Sequence, residues 1–151
     1  MDEKTGLQIK TTIKAGRTAV FRAWLEPEIM KKWLAPGKMR MTLAKTDPKA
    51  GGAWRVEMTG DNPRGIFMTP VFEGVYRTIR PDEEISFTWS MLGNPASNSV
   101  VTVTFREVAG GTEVVLTHEG FGDTETRDGH HHGWSGSLEN LGNLLKKQTS
   151  P

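Results

Sequence analysis

His118, flanked by Thr117 and Glu119, is the residue of this chain whose type and setting best suit polar work on a small molecule. A neutral imidazole offers one donor and one acceptor, titrates near neutrality and serves as a general base when a substrate proton is within reach. Strand alternation puts it on one face with Val114 and Leu116, pointing inward, and sends Glu119 to the other face. The two are therefore no acid–base couple unless a bulge intervenes. An inward imidazole is equally well satisfied by a neighbouring backbone or carboxyl group, since a buried polar group needs a partner with or without a ligand.

The run His130-His131-His132 suggests metal binding at first sight. Consecutive helical residues, however, point about 100° apart, whereas chelation from one helix uses i, i+4 spacing. Asp128 and His132 have that spacing, but no second cluster of ligands follows, so no metal and no cofactor is expected. The run is placed in the first, partly solvated turns of a terminal helix. Other chemistry is thin. Asp61 falls in a loop, and Glu57 and Glu73 stand alone on strands. The serines of 97–99 and 135–137 lack a nucleophile-elbow context, and Gly110-Gly111 lies between strands rather than before a helix, so it is no phosphate loop. No catalytic residue is assigned.

What remains is a set of large apolar side chains: Trp33, Met41, Trp54, Met58, Phe87, Trp89, Phe105 and Trp134. Such residues fill cores, and they also wall cavities for apolar ligands, where methionine adds adaptability. The candidate ligand-binding set is Trp33, Trp54, Met58, Trp89, His118, Trp134 and Leu138.

The elements that must position them follow from periodicity. Leu7, Ile9, Thr11 and Ile13 alternate with Lys10, Thr12 and Lys14 as a first strand ended by Gly16. Val20, Phe21 and Trp24 then recur at helical spacing, and Pro27 opens a second short helix over 27–33, buried through Met30 or Ile29 together with Trp33. Pro36-Gly37 ends it. Strands follow at Met39, Met41 and Leu43, then at Trp54, Val56 and Met58 after Gly51-Gly52. The turn formers Gly60-Asp61-Asn62-Pro63-Arg64-Gly65 predict a loop before a strand over 71–79. Beyond Pro81-Asp82, Ile85, Phe87, Trp89 and Met91 alternate; beyond Gly93-Asn94-Pro95, so do Val101, Val103 and Phe105. Gly110-Gly111 turns into Val114, Leu116 and His118. Short turns between successive strands predict an antiparallel meander with one buried face. Asp123 or Thr124 caps a final helix, with Glu125 in its first turn, and Trp134, Leu138, Leu141 and Leu145 form its apolar stripe. Gly129, Gly133, Gly136 and Gly142 are costly there, and close approach of the helix to a sheet would account for them.

The chain of 151 residues fits one domain, 1–151, with an ordered core over about 7–146. With 36% hydrophobic and 25% charged residues it can build a core, and a formal charge of +1 offers no concentrated basic surface for nucleic acid or an anionic membrane. The absence of cysteine excludes disulfide frameworks and thiolate sites. No stretch approaches the ~18 apolar residues of a membrane span, and the polar first ten residues are unlike a signal peptide; the expectation is a cytoplasmic protein, monomer or homodimer.

Read in order, several segments resemble one family. They are Val20-Phe21-Arg22-Ala23-Trp24 with Glu26-Pro27-Glu28 and Lys32-Trp33, then Gly51-Gly52-Ala53-Trp54-Arg55, then Gly74-Val75-Tyr76, Pro81-Asp82-Glu83 and Phe87-Thr88-Trp89. The series continues through 101–105, Gly110-Gly111-Thr112 and Thr117-His118-Glu119-Gly120-Phe121, and ends with Arg127-Asp128-Gly129-His130 and 133–138. The ordered set is similar to the heat-shock protein 90 ATPase activator homologue family of the START-like SRPBCC superfamily. One histidine of that pattern matches His130; His131 and His132 depart from it. The resemblance implies an α+β helix-grip fold: a curved antiparallel sheet of six or seven strands, two short helices after the first strand, and a long C-terminal helix across an apolar cavity. It implies three functions. The first is binding of a small apolar or amphipathic molecule. The second is a chaperone-interacting, stress-response role, and the third is enzymatic activity of the polyketide cyclase or hydrolase type through His118. Fold analogy alone does not choose among them.

Overall fold

The computed structural model describes residues 6–62, 64–93 and 99–149. Among these, three helices and eight strands follow one another as β1 (Gly6–Ile13), α1 (Arg17–Ala23), α2 (Pro27–Met30), β2 (Arg40–Thr46), β3 (Ala53–Asp61), β4 (Phe67–Met68), β5 (Val71–Arg80), β6 (Glu84–Met91), β7 (Ser99–Val108), β8 (Gly111–Glu119) and α3 (Thr124–Thr149). The sheet runs β1-β8-β7-β6-β5-β3-β2, with the two-residue β4 hung from β3, and every pairing is antiparallel. It is the predicted meander. Because β8 returns to pair with β1, the first two strands occupy opposite edges, and the segment carrying α1 and α2 must cross the width of the sheet. This is the α+β helix-grip arrangement: a curled sheet around one long helix.

Register explains why one face is buried. Ile9, Leu116, Val103, Ile85 and Ile79 oppose one another in a row across five strands, and Leu7, His118, Val101, Phe87 and Tyr76 form the neighbouring row. Side chains of one row share a face, so His118 sits in an otherwise hydrophobic line. Against this face lies the predicted stripe of α3, with Trp134, Leu138, Leu141 and Leu145 all buried. Gly110 and Gly111 turn β7 into β8 with φ of +86° and +152°. A Cβ on Gly111 would strike the backbone carbonyl of Ile13, so the turn needs glycine for space as well as conformation.

The fold differs from the sequence expectation in four places. The second helix ends at Met30 and continues only as turns to Trp33, although Met30 and Trp33 are both buried as expected. A bulge between Met41 and Leu43 shifts the alternation of β2, so that Ala44 rather than Leu43 opposes Val56. The turn-rich stretch after Gly60 is not simply a loop: Gly60 and Asp61 pair with Met68 and Phe67, making a hairpin flap. Finally, the glycines of α3 do not face the sheet. A Cβ on Gly136 would lie 3.3 Å from Pro36 and one on Gly133 3.9 Å from it, while a Cβ on Gly129 or Gly142 would meet nothing. Asn94, Pro95 and Ser97, as well as Pro63, lie outside the described residues, as does the side chain of Lys147.

Candidate ligand pocket

The middle of α3 is sealed by the crossover segment. Ser137 Oγ donates to the Leu34 carbonyl at 2.6 Å, and Asn140 Nδ2 donates to the carbonyls of Trp33 and Ala35 at 3.3 and 3.1 Å. Trp134 stacks on Trp24 with centroids 5.8 Å apart, and Trp24 meets Trp33 edge-on at 4.8 Å. Trp33 Nε1 donates to the Ala23 carbonyl at 3.0 Å, and Trp54 Nε1 donates to the Thr88 carbonyl at 3.2 Å. Between these rings, Tyr76 and Phe87, a cavity of only about 20 Å³ is left, which is room for about one water.

Toward the helix N-terminus the packing opens into a pocket of about 870 Å³. Its floor is Met58, Phe72, Trp89, Met91 and Trp134, with Leu34, Pro36 and Met39 at one end. Phe72 opposes both Val56 of β3 and Met91 of β6, and its ring stacks on Trp89 at 4.6 Å. One wall is the flap, contributing Asn62, Arg64, Ile66, Met68 and Pro70; the other is the first turns of α3, from Thr124 to Ser137. The flap turn is held by Asn62, whose Oδ1 accepts from the Arg64 and Ile66 amides at 2.9 and 3.0 Å. Asp123 is the cap that starts α3: its Oδ1 accepts from the Thr126 amide at 2.7 Å, which holds its carboxyl below the usual carboxylate range. Arg64 Nη2 reaches Glu125 Oε1 at 3.0 Å and joins flap to helix across the mouth.

The two inward histidines differ sharply. Trp134 Nε1–H donates to His118 Nδ1 at 3.0 Å, so the ring proton is on Nε2 and is donated to Ser99 Oγ at 2.7 Å. Ser99 in turn donates to the Trp89 carbonyl at 3.1 Å. His118 is fully buried, and that burial, with His130 nearby, pushes its pKa down to about 2. It is a neutral core histidine with both nitrogens engaged, and it lines neither cavity. His130 lines the pocket. Its Nδ1 lies 2.9 Å from the Thr126 carbonyl and donates to it, which leaves Nε2 as the acceptor of Trp89 Nε1–H at 3.3 Å. Burial lowers its pKa, and the Thr126 hydrogen bond partly opposes this. His131 and His132 are exposed, with His132 at the pocket rim.

Of the residues singled out from sequence, Met58, Trp89 and Trp134 line the large pocket, Trp33 and Trp54 face the small one, and Leu138 and His118 face neither. Sequence reasoning did not single out Phe72, Met68 or the flap, and weighed His130 only as a metal ligand. Four of the seven methionines, Met39, Met58, Met68 and Met91, meet in this pocket, a convergence visible only once the flap folds over β3 and β5.

A family model described as Activator of Hsp90 ATPase homolog 1-like protein matches residues 14–146. Among proteins with curated descriptions none matches. Among solved structures, a crystal structure of a Chromobacterium violaceum protein is 25% identical over 93% of this chain and 96% of its own, with a TM-score of 0.80. A Rhizobium leguminosarum protein is 27% identical, covering 95% of each chain, with a TM-score of 0.72. The solution structure of an AHSA1-like protein from Aeromonas hydrophila, 23% identical over 95% of this chain and 93% of its own, superposes with a TM-score of 0.75. Among the described residues no helix is long and apolar enough to cross a membrane. The chain belongs to the Activator of Hsp90 ATPase homolog 1-like family.

Proposed function

We propose that this family member holds a small apolar or amphipathic molecule in the pocket between its flap and the first turns of α3. The observation that carries this reading is the pocket itself: about 870 Å³, with an aromatic and methionine floor and a polar mouth. That volume suits a drug-sized ligand, and a largely apolar lining with a few placed polar groups is the usual make-up of such sites. Four methionines give the walls shape adaptability and soft contacts to a ligand's rings or double bonds. The reading is one of binding rather than turnover. His118 is sealed in the core, and Glu125 and Asp128 at the rim are exposed and paired with Arg64 and Arg127.

The test is native mass spectrometry of the intact chain with a panel of fatty acids, fatty alcohols and aromatic metabolites, alongside tryptophan fluorescence. Trp89 and Trp134 border the pocket, so a bound ligand is expected to change their emission. Failure of every panel member to bind overturns the reading.

A second reading, contact with a chaperone, is favoured by the family description and by the exposed Ile66 and Phe67 on the flap. It predicts stimulation of the chaperone's ATPase that Ile66→Ser with Phe67→Ser abolishes. No stimulation by the unaltered chain would dismiss it.

A further inference from the structure

Building on the ligand-pocket reading, we propose that the pocket selects a hydroxyl group: its occupant is a neutral alcohol or phenol whose O–H donates to His130 Nε2 while its oxygen accepts from Trp89 Nε1–H.

The argument is a count of hydrogen-bonding capacity below the rim. Ser137 Oγ is engaged by the Leu34 and Gly133 carbonyls. The Asn62 side chain is engaged by its own turn and by Met68 Sδ. The Trp134 indole N–H is held by His118, and Arg64 is held at the mouth by Glu125. Beside the half-buried Thr126 hydroxyl, that leaves the pair Trp89 and His130, whose N–H···N contact of 3.3 Å is longer than a well-formed hydrogen bond. The Thr126 carbonyl fixes the tautomer of His130, so the pair presents one donor and one acceptor side by side.

Only a group that both accepts and donates can enter between them without leaving one orphaned. A ketone or ether oxygen would take the indole proton but face the lone pair of Nε2. A carboxylate would do the same and bring a charge into a wall of Trp89, Phe72 and methionines. An ammonium would satisfy Nε2 and oppose the indole. A hydroxyl replaces one long hydrogen bond by two good ones. For an oxygen about 2.8 Å from each nitrogen, the nitrogens must part by a little over ~1 Å. Trp89 is clamped by Phe72 stacked at 4.6 Å and by Trp54 at 5.3 Å, so the displacement falls to His130 on the first turns of α3.

The experiment compares 2-naphthol, 2-methoxynaphthalene and 2-naphthoate at neutral pH by calorimetry and by the indole N–H signals of the isotope-labelled chain. 2-Naphthol is expected to bind about tenfold more tightly than the other two, the worth of one net hydrogen bond. Among the five tryptophans, the Trp89 indole signal should shift most. His130→Phe removes both the acceptor for the hydroxyl and the lone pair that opposes an ether, so 2-naphthol and 2-methoxynaphthalene should then bind alike, and His130→Gln, which keeps an acceptor, should retain part of the preference. Equal binding of all three probes, or a preference that survives His130→Phe, overturns the hydroxyl inference and leaves the pocket standing. No binding by any probe overturns both.

Discussion

One helix, α3, has two unlike environments. At its middle, indoles interlock edge to face and stack, the crossover segment is bonded to Ser137 and Asn140, and about 20 Å³ is left. Two turns earlier, a floor of the same residue types borders about 870 Å³. The lesson is that aromatic and methionine content does not decide between core and pocket; what lies opposite does. The sealed part faces the Trp33 turn, which is covalently committed to that position between α2 and β2. The open part faces a short hairpin, held by the two residue pairs of β3 with β4, by the Asn62 turn, by the Met58 amide's bond to the Pro70 carbonyl and by one exposed ion pair.

The sharpest way to break this contrast is to truncate one residue on each side. Trp33 is 1% exposed, and Trp33→Ala removes a ring packed on Trp24 together with its bond to Ala23; a loss of about 3–5 kcal/mol in urea unfolding is expected. Ile66, 58% exposed on the flap, should tolerate Ser within about 0.5 kcal/mol. Similar values for the two would mean that the sealed and open regions are not distinct.

The histidines sharpen the same contrast. His118→Phe keeps a ring but takes from Trp134 N–H its acceptor and from Ser99 Oγ the N–H it accepts, for an expected loss of about 2–4 kcal/mol. His130→Phe frees Trp89 N–H toward an open pocket that water can reach, and should cost clearly less. The pH dependence has a definite sign. The unfolded chain takes up the proton on residue 118 near pH 6.5, whereas the folded chain refuses it until about pH 2. The stability contributed by neutral His118 is thus complete above pH 6.5 and is lost as pH falls toward 2, by at most about 1.4 kcal/mol per pH unit. His130, also lowered by burial, adds a slope of the same sign. His118→Phe should flatten the acid limb of a stability–pH curve; an unchanged slope would show that other groups set it.

The sequence carried the fold well where periodicity is local. Alternation in β6, β7 and β8 and the stripe of α3 identified buried faces residue by residue, because a strand or helix presents its pattern without reference to distant partners. It carried the pocket poorly because the pocket is made by non-local events. A bulge in β2, a two-residue strand hidden in turn formers and the seating of Pro36 against Gly136 leave no periodic signal. His118 illustrates the point: its inward direction was legible from alternation, but which side chains would meet its two nitrogens was not. His130 lay in plain view, yet its partner is Trp89, 41 residues away in sequence.

The glycines of α3 give a smaller effect with a clear sign. A Cβ on Gly142 meets nothing, so Gly142→Ala should stabilise by about 0.5–1 kcal/mol through helix propensity alone. At Gly136 the same gain is opposed by Pro36 at 3.3 Å, and alanine there should gain less or lose. Thermal unfolding of the two single variants decides whether the seal at mid-helix is tight. Equal gains would mean that Pro36 yields freely.

The smallest effect on stability is expected at the mouth. Arg64 and Glu125 have side chains 70% and 75% exposed, so their ion pair is screened, and Glu125→Gln should change unfolding free energy by less than about 0.5 kcal/mol. The same pair nevertheless bridges flap and helix across the mouth of the wide pocket along α3. A bond that is nearly neutral for folding can still restrain the flap, because it ties the hairpin's tip to the helix across the mouth. Glu125→Gln is therefore expected to quicken release of a bound probe while leaving the urea midpoint where it was, as read by stopped-flow displacement of 2-naphthol beside equilibrium unfolding. A release rate that does not change would show that strand pairing, not the ion pair, holds the flap in place, and that the open region owes its shape to backbone alone.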